Sequence, residues 1–330
     1  MIMIQVLLGG ITRLTESGLS ITEWKPITGA LPPLNDAAWQ AEFEKYRLTD
    51  QFKYVHQSFS IKDFKFIFFW EWAHRLWARL MGLVFIAGFI YFLVRRKFNK
   101  SMVMPMVVLF ILGALQGAIG WIMVKSGLVP EKYFVGHIEL TVHFIAALIL
   151  LSYTLWFALS LLPSMKMHVY NKGLKNIILF ILLLLFFQLL YGGFMAGLKA
   201  AVTAPTWPDI NGEAIPSSFN ELSPWSQNLV QNKLAIHFIH RSLAYLLLIV
   251  VGLFYFRSGN INGNPAFKKL RLALPVLIMV QVVLGIFTVL NATHNHYFIW
   301  LGVFHQFTAM LLVICIVSLM YILQKRAIGS

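Results

Sequence analysis

The chain alternates long apolar runs with shorter polar segments. Uncharged or nearly uncharged stretches lie at about 80–94 (extended backwards by a charged stretch from about 66), 102–124, 140–162, 176–198, 234–256, 272–292 and 297–323. A helix needs about 20 apolar residues to cross a bilayer, so the pattern predicts seven spans. Met1 to Ile11 is also apolar but about half the spanning length, which predicts a first helix that is short or begins upstream. It has neither the basic flank nor the small-residue cleavage site of a signal peptide.

An internal repeat organises these runs. Gln5-x-x-x-Gly9-Gly10 returns as Gln188-x-x-x-Gly192-Gly193, 183 positions on, and Trp24-x-x-Ile27-x-Gly29 returns as Trp207-x-x-Ile210-x-Gly212 at the same offset. His74-Arg75 matches His240-Arg241, Gln116-x-x-x-Gly120 matches Gln281-x-x-x-Gly285, and His143 matches His305, with offsets of 166, 165 and 162. The expected fold is therefore an all-α integral membrane protein of eight transmembrane helices, built as two tandem four-helix bundles over 1–165 and 166–330. A loop at 170–175 is expected to join them.

Charge then sets sidedness. Basic residues collect in alternate loops: Arg95, Arg96, Lys97 and Lys100; Lys166, Lys172 and Lys175; Arg257, Lys268, Lys269 and Arg271; and Lys325 with Arg326 in the tail. The loops at about 12–65, 125–137 and 199–233 carry mixed charge, including Glu16, Glu23, Glu42, Glu44, Asp209, Glu213 and Glu221. Short basic loops stay cytoplasmic, so both termini are expected inside the cell's inner (plasma) membrane and the mixed loops outside. The net charge of +14 reads as topology, with no aromatic-interleaved basic patch to suggest nucleic acid. A composition 58% hydrophobic and 12% charged excludes a soluble domain. The single cysteine, Cys315, lies within the last apolar run and is expected to pack, and it admits no intramolecular disulfide.

Four of the ten histidines, His74, His143, His240 and His305, occupy repeat-related positions within the first two turns of their spans, counted from the outer face. Facing histidines on separate helices can give haem iron both axial ligands, which pairs His74 with His143 and His240 with His305. Zinc competes weakly, because it wants three or four ligands and no cysteine cluster is present. Glu71 precedes His74 by three residues on one helical face, while the second half has His237 there. Only the first half then has the carboxylate for chemistry, unless Glu71 merely pairs with Arg75 or Arg79. Arg75 and Arg241 suit haem propionates, or serve as interfacial anchors. His56, His168, His294 and His296 fall in loops or at membrane edges, where solvated or interfacial roles are expected. His137 precedes its span, and His237 is placed to line the second pocket without ligating iron.

Gly9-Gly10-Ile11-Thr12-Arg13-Leu14-Thr15-Glu16-Ser17-Gly18-Leu19-Ser20, Glu71-Trp72-Ala73-His74-Arg75, Gln116-Gly117-Ala118-Ile119-Gly120-Trp121, Thr206-Trp207-Pro208, His240-Arg241 and His305-Gln306 together resemble the haem A synthase family nearly end to end. That resemblance implies oxidation of a haem O methyl group to the formyl group of haem A, for haem-copper terminal oxidases. It implies a catalytic haem site at His74 and His143 with Glu71 as the essential acid, and a permanent haem b on His240 and His305. Haem O would come from a haem O synthase, electrons would leave to an acceptor, and oligomerisation is compatible. Some members carry a cysteine pair in the first outer loop, which this sequence lacks, so no thiol step operates here. The rival readings are a di-haem b-type cytochrome exchanging electrons with quinone, and a transporter whose intramembrane histidines bind substrate or protons.

Overall fold

The computed structural model of the protein describes residues 1–23, 28–162, 169–259, 261 and 264–324. Trp24 and Ile27 of the repeat, Lys166 and His168, and the tail residues Lys325 and Arg326 lie outside the described residues.

The described residues form helices α1 (Ile2–Leu14), α2 (Asp36–Arg47), α3 (Asp50–Tyr54), α4 (Ile61–Val94), α5 (Lys100–Gly127), α6 (His137–Leu161), α7 (Lys172–Gly197), α8 (Ala200–Thr203), α9 (Lys233–Arg257), α10 (Pro265–Leu290) and α11 (Asn295–Ile322). Seven of them are long and apolar enough to cross a membrane, and the shorter apolar α1 precedes them. The chain is thus an all-helical, multi-pass membrane protein.

Helix ends follow local capping more than charge, and this corrects three expected boundaries. α4 starts at Ile61 because Ser60 and Asp63 form a reciprocal capping box, so it runs 34 residues. At about 1.5 Å per residue that is about 51 Å, against about 30 Å of hydrocarbon, so its first turns project beyond the bilayer. α7 starts at Lys172, where the Asn171 side chain accepts from the Leu174 N–H at 3.0 Å. The joining loop expected at 170–175 is therefore helical from Lys172 onward, and Lys172 and Lys175 occupy its first turn. α10 starts at Pro265, not near 272, with Asn264 as its cap and proline in the first turn, where its missing N–H costs nothing. Its basic residues stay polar-side: the Arg271 guanidinium lies 4.5 Å from the Tyr255 ring and bonds the Ser258 hydroxyl.

Packing divides the chain into two compact units, Met1–Ala147 and Leu148–Ser330. The second has a continuous apolar core. Leu174, Ile178, Ile181 and Leu185 of α7 meet Leu247, Val251 and Phe254 of α9, Leu274 and Ile278 of α10, and Leu312, Ile316 and Leu319 of α11. These recur at three- and four-residue steps, the spacing of one helical face. Cys315 is buried there as a packing residue. In the first unit the buried cluster lies where α4 projects: Phe64, Ile67 and Phe68 pack against Phe43 and Tyr46 of α2, with Trp39 edge-on to Phe68 at 5.0 Å. The segment expected as loop between α1 and α4 thus contains a small helical cap. The apolar stretches of α4 and α5 below it face outward, as lipid-exposed helices do.

Candidate haem-binding sites

Each of the four histidines packs against a glycine of the preceding apolar helix. A Cβ placed on the glycine would stand 2.9 Å from the imidazole at Gly9 and His74, 2.8 Å at Gly120 and His143, 3.2 Å at Gly192 and His240, and 3.0 Å at Gly285 and His305. At Gly9 and Gly120 the ring occupies the space a methyl would take, and at Gly285 and Gly192 a methyl would fit only if the ring gave way by a few tenths of an ångström. One helical turn before each glycine stands a glutamine. The Gln188 amide nitrogen is 3.2 Å from His240 Nε2, that of Gln281 is 3.1 Å from His305 Nε2, and that of Gln116 is 3.2 Å from His143 Nδ1. The amide oxygens of Gln5, Gln116, Gln188 and Gln281 are buried with no hydrogen-bond partner among the described residues.

In the second unit the His240 and His305 ring centres are 6.5 Å apart and the rings are inclined by 65°. A metal–imidazole bond is about 2 Å and a ring nitrogen lies about 1 Å from its ring centre, so two imidazoles sharing one ion stand about 6 Å apart. The Nδ1 atoms of both rings are buried and unpartnered, as a donor set waiting for a ligand would be. The residues therefore fit an iron held between two imidazoles. In the first unit His74 and His143 are close enough to interact electrostatically. Among the described residues no three His, Cys, Asp or Glu side chains converge, so a protein-only zinc site lacks its ligands.

Glu71 is 3% exposed and fully bonded: Oε1 accepts from Arg75 Nη2 at 2.6 Å, and Oε2 accepts from the Ser20 hydroxyl at 2.7 Å and the Ile21 N–H at 2.8 Å. Three donors thus replace the water that burial removes. Both readings of Glu71 meet here, since it lies one turn from His74 and also pairs with Arg75. At the equivalent place His237 is fully buried, and its Nε2 accepts from Arg241 Nε at 3.1 Å.

Arg75 and Arg241 perform one task twice. Arg75 donates to the carbonyls of Ile21 and Glu23, and Arg241 to those of Thr206, Pro208 and Asp209. Each clamps the long loop of its half onto the helix bearing the histidine. Beside Arg75 a cavity of about 280 Å³ is lined by Ile21, Pro32, Pro33, Phe68 and Arg79.

His56 departs from the solvated role expected of it. It is buried, with Nδ1 2.6 Å from the Tyr46 hydroxyl, Nε2 3.3 Å from Glu16 Oε2, and its ring stacked on Phe59 at 3.9 Å. Tyr46 also donates to Gln51 Oε1 at 3.0 Å. Burial, and then the nearby charges of Glu71 and Glu16, push the Tyr46 hydroxyl pKa upward, so it stays protonated. His137 begins α6, and His294 and His296 lie at the start of α11, away from these pairs. The glutamine contacts escaped the sequence reading. Their signal was present, since the two repeat-matched Gln-x-x-x-Gly pairs place one such motif ahead of each of the four histidines.

The model of the COX15-CtaA family, described as cytochrome oxidase assembly protein, matches residues 1–317. Similar curated proteins are named haem A synthase. The one from Flavobacterium johnsoniae is 38% identical over 329 residues, covering 98% of this chain and 95% of its own. Those from Novosphingobium aromaticivorans and Paracoccus denitrificans are 40% and 39% identical, covering 95% and 89% of this chain and 89% and 78% of theirs.

Proposed function

Since the chain belongs to the COX15-CtaA family of cytochrome oxidase assembly proteins, we propose that it is a haem A synthase, an oxidoreductase that converts the methyl group of haem O to the formyl group of haem A. With water as the oxygen source this change releases four protons and four electrons, so the protein must pass both on.

His74 and His143 hold the substrate haem in the half 1–165, and His240 and His305 hold a resident haem b in the half 166–330. The resident haem supplies one-electron redox chemistry when bound. Arg75 and Arg241 fix the loops over these sites and leave donor capacity toward propionates. Haem O is delivered by a haem O synthase, and a separate acceptor takes the electrons. Both termini lie in the cytoplasm and the histidines near the outer face of the plasma membrane.

The observation that carries the reading is Glu71: a buried carboxylate one turn from His74, which the second half replaces with His237. Its work is to accept a proton or offset positive charge at the reacting methyl. Arg75, Ser20 and the Ile21 N–H hold it in place, and a passing proton displaces one of those donors. Glu71→Gln keeps the shape but loses the charge and basicity, so it should keep haem b and make no haem A. Chromatography of extracted haem beside the reduced-minus-oxidised spectrum tests this. Normal haem A yield would leave Glu71 a structural partner of Arg75 and Ser20.

A further inference from the structure

The glutamines that face His143, His240 and His305 from the neighbouring helix contact a ring nitrogen, and which nitrogen of an imidazole carries the proton decides which one can bind iron. An amide facing a ring nitrogen pairs in one of two ways: the amide N–H donates to the ring lone pair, or the ring N–H donates to the amide oxygen. A neutral imidazole has one ring proton. In the first pairing that proton sits on the far nitrogen and blocks a metal. In the second it sits on the near one, and the far nitrogen keeps its lone pair.

In the structure the amide nitrogens of Gln188 and Gln281 face Nε2 of His240 and His305, while both amide oxygens and both Nδ1 atoms are buried without partners among the described residues. Turning each amide by half a turn gives its oxygen a partner and frees the far nitrogen for iron. The terminal amide torsion is broad and roughly two-fold, so the turn is allowed.

We propose that Gln188 and Gln281 are positioning residues for the iron ligands: with haem between His240 and His305, each glutamine oxygen accepts the N–H of its imidazole and fixes the tautomer and orientation of the ring. This rests on the assignment of His240 and His305 to a resident haem. Gln116 differs, because its amide nitrogen also donates to the His143 backbone carbonyl at 3.0 Å, a bond the same turn would lose. His143 is thus held less firmly in the iron-binding tautomer, which suits a half whose haem must arrive and leave.

The test uses purified full-length protein carrying Gln188→Leu, Gln281→Leu or Gln281→Glu, with His240→Ala and His305→Ala as references. The readouts are haem-to-protein ratio on dilution, midpoint potential, and ferric resonance spectrum. Loss of such an outer partner costs about 10- to 100-fold in affinity, so the leucine variants should release haem at correspondingly higher protein concentration, with a raised potential. The glutamate variant should retain haem with a lowered potential, because a charged acceptor makes the imidazole a stronger donor. Unchanged potential and spectrum in Gln281→Glu, with haem lost from both alanine variants, would overturn the proposal even if the leucine variants fold poorly. Full haem in His240→Ala and His305→Ala would instead overturn the ligand assignment beneath it.

Discussion

Alanine substitution of the four contact glycines should damage haem binding in an order set by clearance. Ordinary van der Waals contact begins at 3.4 Å, and the added methyl falls short by 0.6 Å at Gly120 (3.4 less 2.8), 0.5 Å at Gly9, 0.4 Å at Gly285 and 0.2 Å at Gly192. An imidazole free of metal can swing away at a cost of roughly 0.5–1.5 kcal/mol. Replacing a helical glycine by alanine returns roughly 0.5–1 kcal/mol, so the apoprotein should hardly change in stability. An imidazole bonded to iron has no such freedom, since metal–ligand distances tolerate only about 0.2 Å. Gly285→Ala should therefore lose resident haem while Gly192→Ala, at the edge of that tolerance, keeps most of it. Gly252→Ala in the same half and Gly113→Ala in the other, each with nothing within 4 Å, are the controls and should keep the resident haem. The assay is extracted haem per purified protein, read beside the thermal unfolding of the apoprotein. Equal haem loss from Gly192→Ala and Gly285→Ala, or loss from the controls, would refute the reasoning.

Replacing His240 or His305 should remove resident haem b, whereas replacing His74 or His143 should abolish haem A and leave much of the haem b spectrum; equal bleaching by all four would erase the division of labour. Reporter fusions at Asp50 and Ser217 should both report the outer side, and a cytoplasmic signal from either would reverse the orientation. Tyr46→Phe leaves His56 and Gln51 short of a buried partner and should cost about 1–3 kcal/mol by thermal unfolding; an unchanged melting temperature would show that water replaces the hydroxyl.

The spans were legible because lipid removes ambiguity: a run of apolar residues of bilayer length has no other stable form. The histidine pairs were legible because a repeat turns isolated residues into equivalent positions. What stayed hidden depended on short polar contacts. The capping at Ser60 and Asn171 moved two helix starts past their charged residues, and the cap helix Asp36–Arg47 was obscured by its polar composition. His56 looked solvated because neither Tyr46 nor Glu16, its partners, is near it in sequence.

The two halves share a scaffold and differ in what surrounds it, and the differences point one way. Carried through the repeat offsets, Glu71, Arg13 and Arg79 of the first half stand opposite His237, Ala196 and Tyr245 of the second. In the second half the Tyr245 hydroxyl takes the Trp207 indole N–H at 3.1 Å, and His237 takes Arg241, so these positions tie the loop to its helix. In the first half Arg79 joins Arg75 in lining a cavity, and Glu71 brings a charged oxygen to the helix face of His74. Buried or half-buried ionisable groups in a membrane protein are costly and tend to be kept where they act. The half that carries three of them, with Arg79 lining a cavity, is suited to admit and transform a ligand. The half that has His237, Ala196 and Tyr245 in their place, with His237 bonded to Arg241 and Tyr245 to Trp207, is suited to hold one.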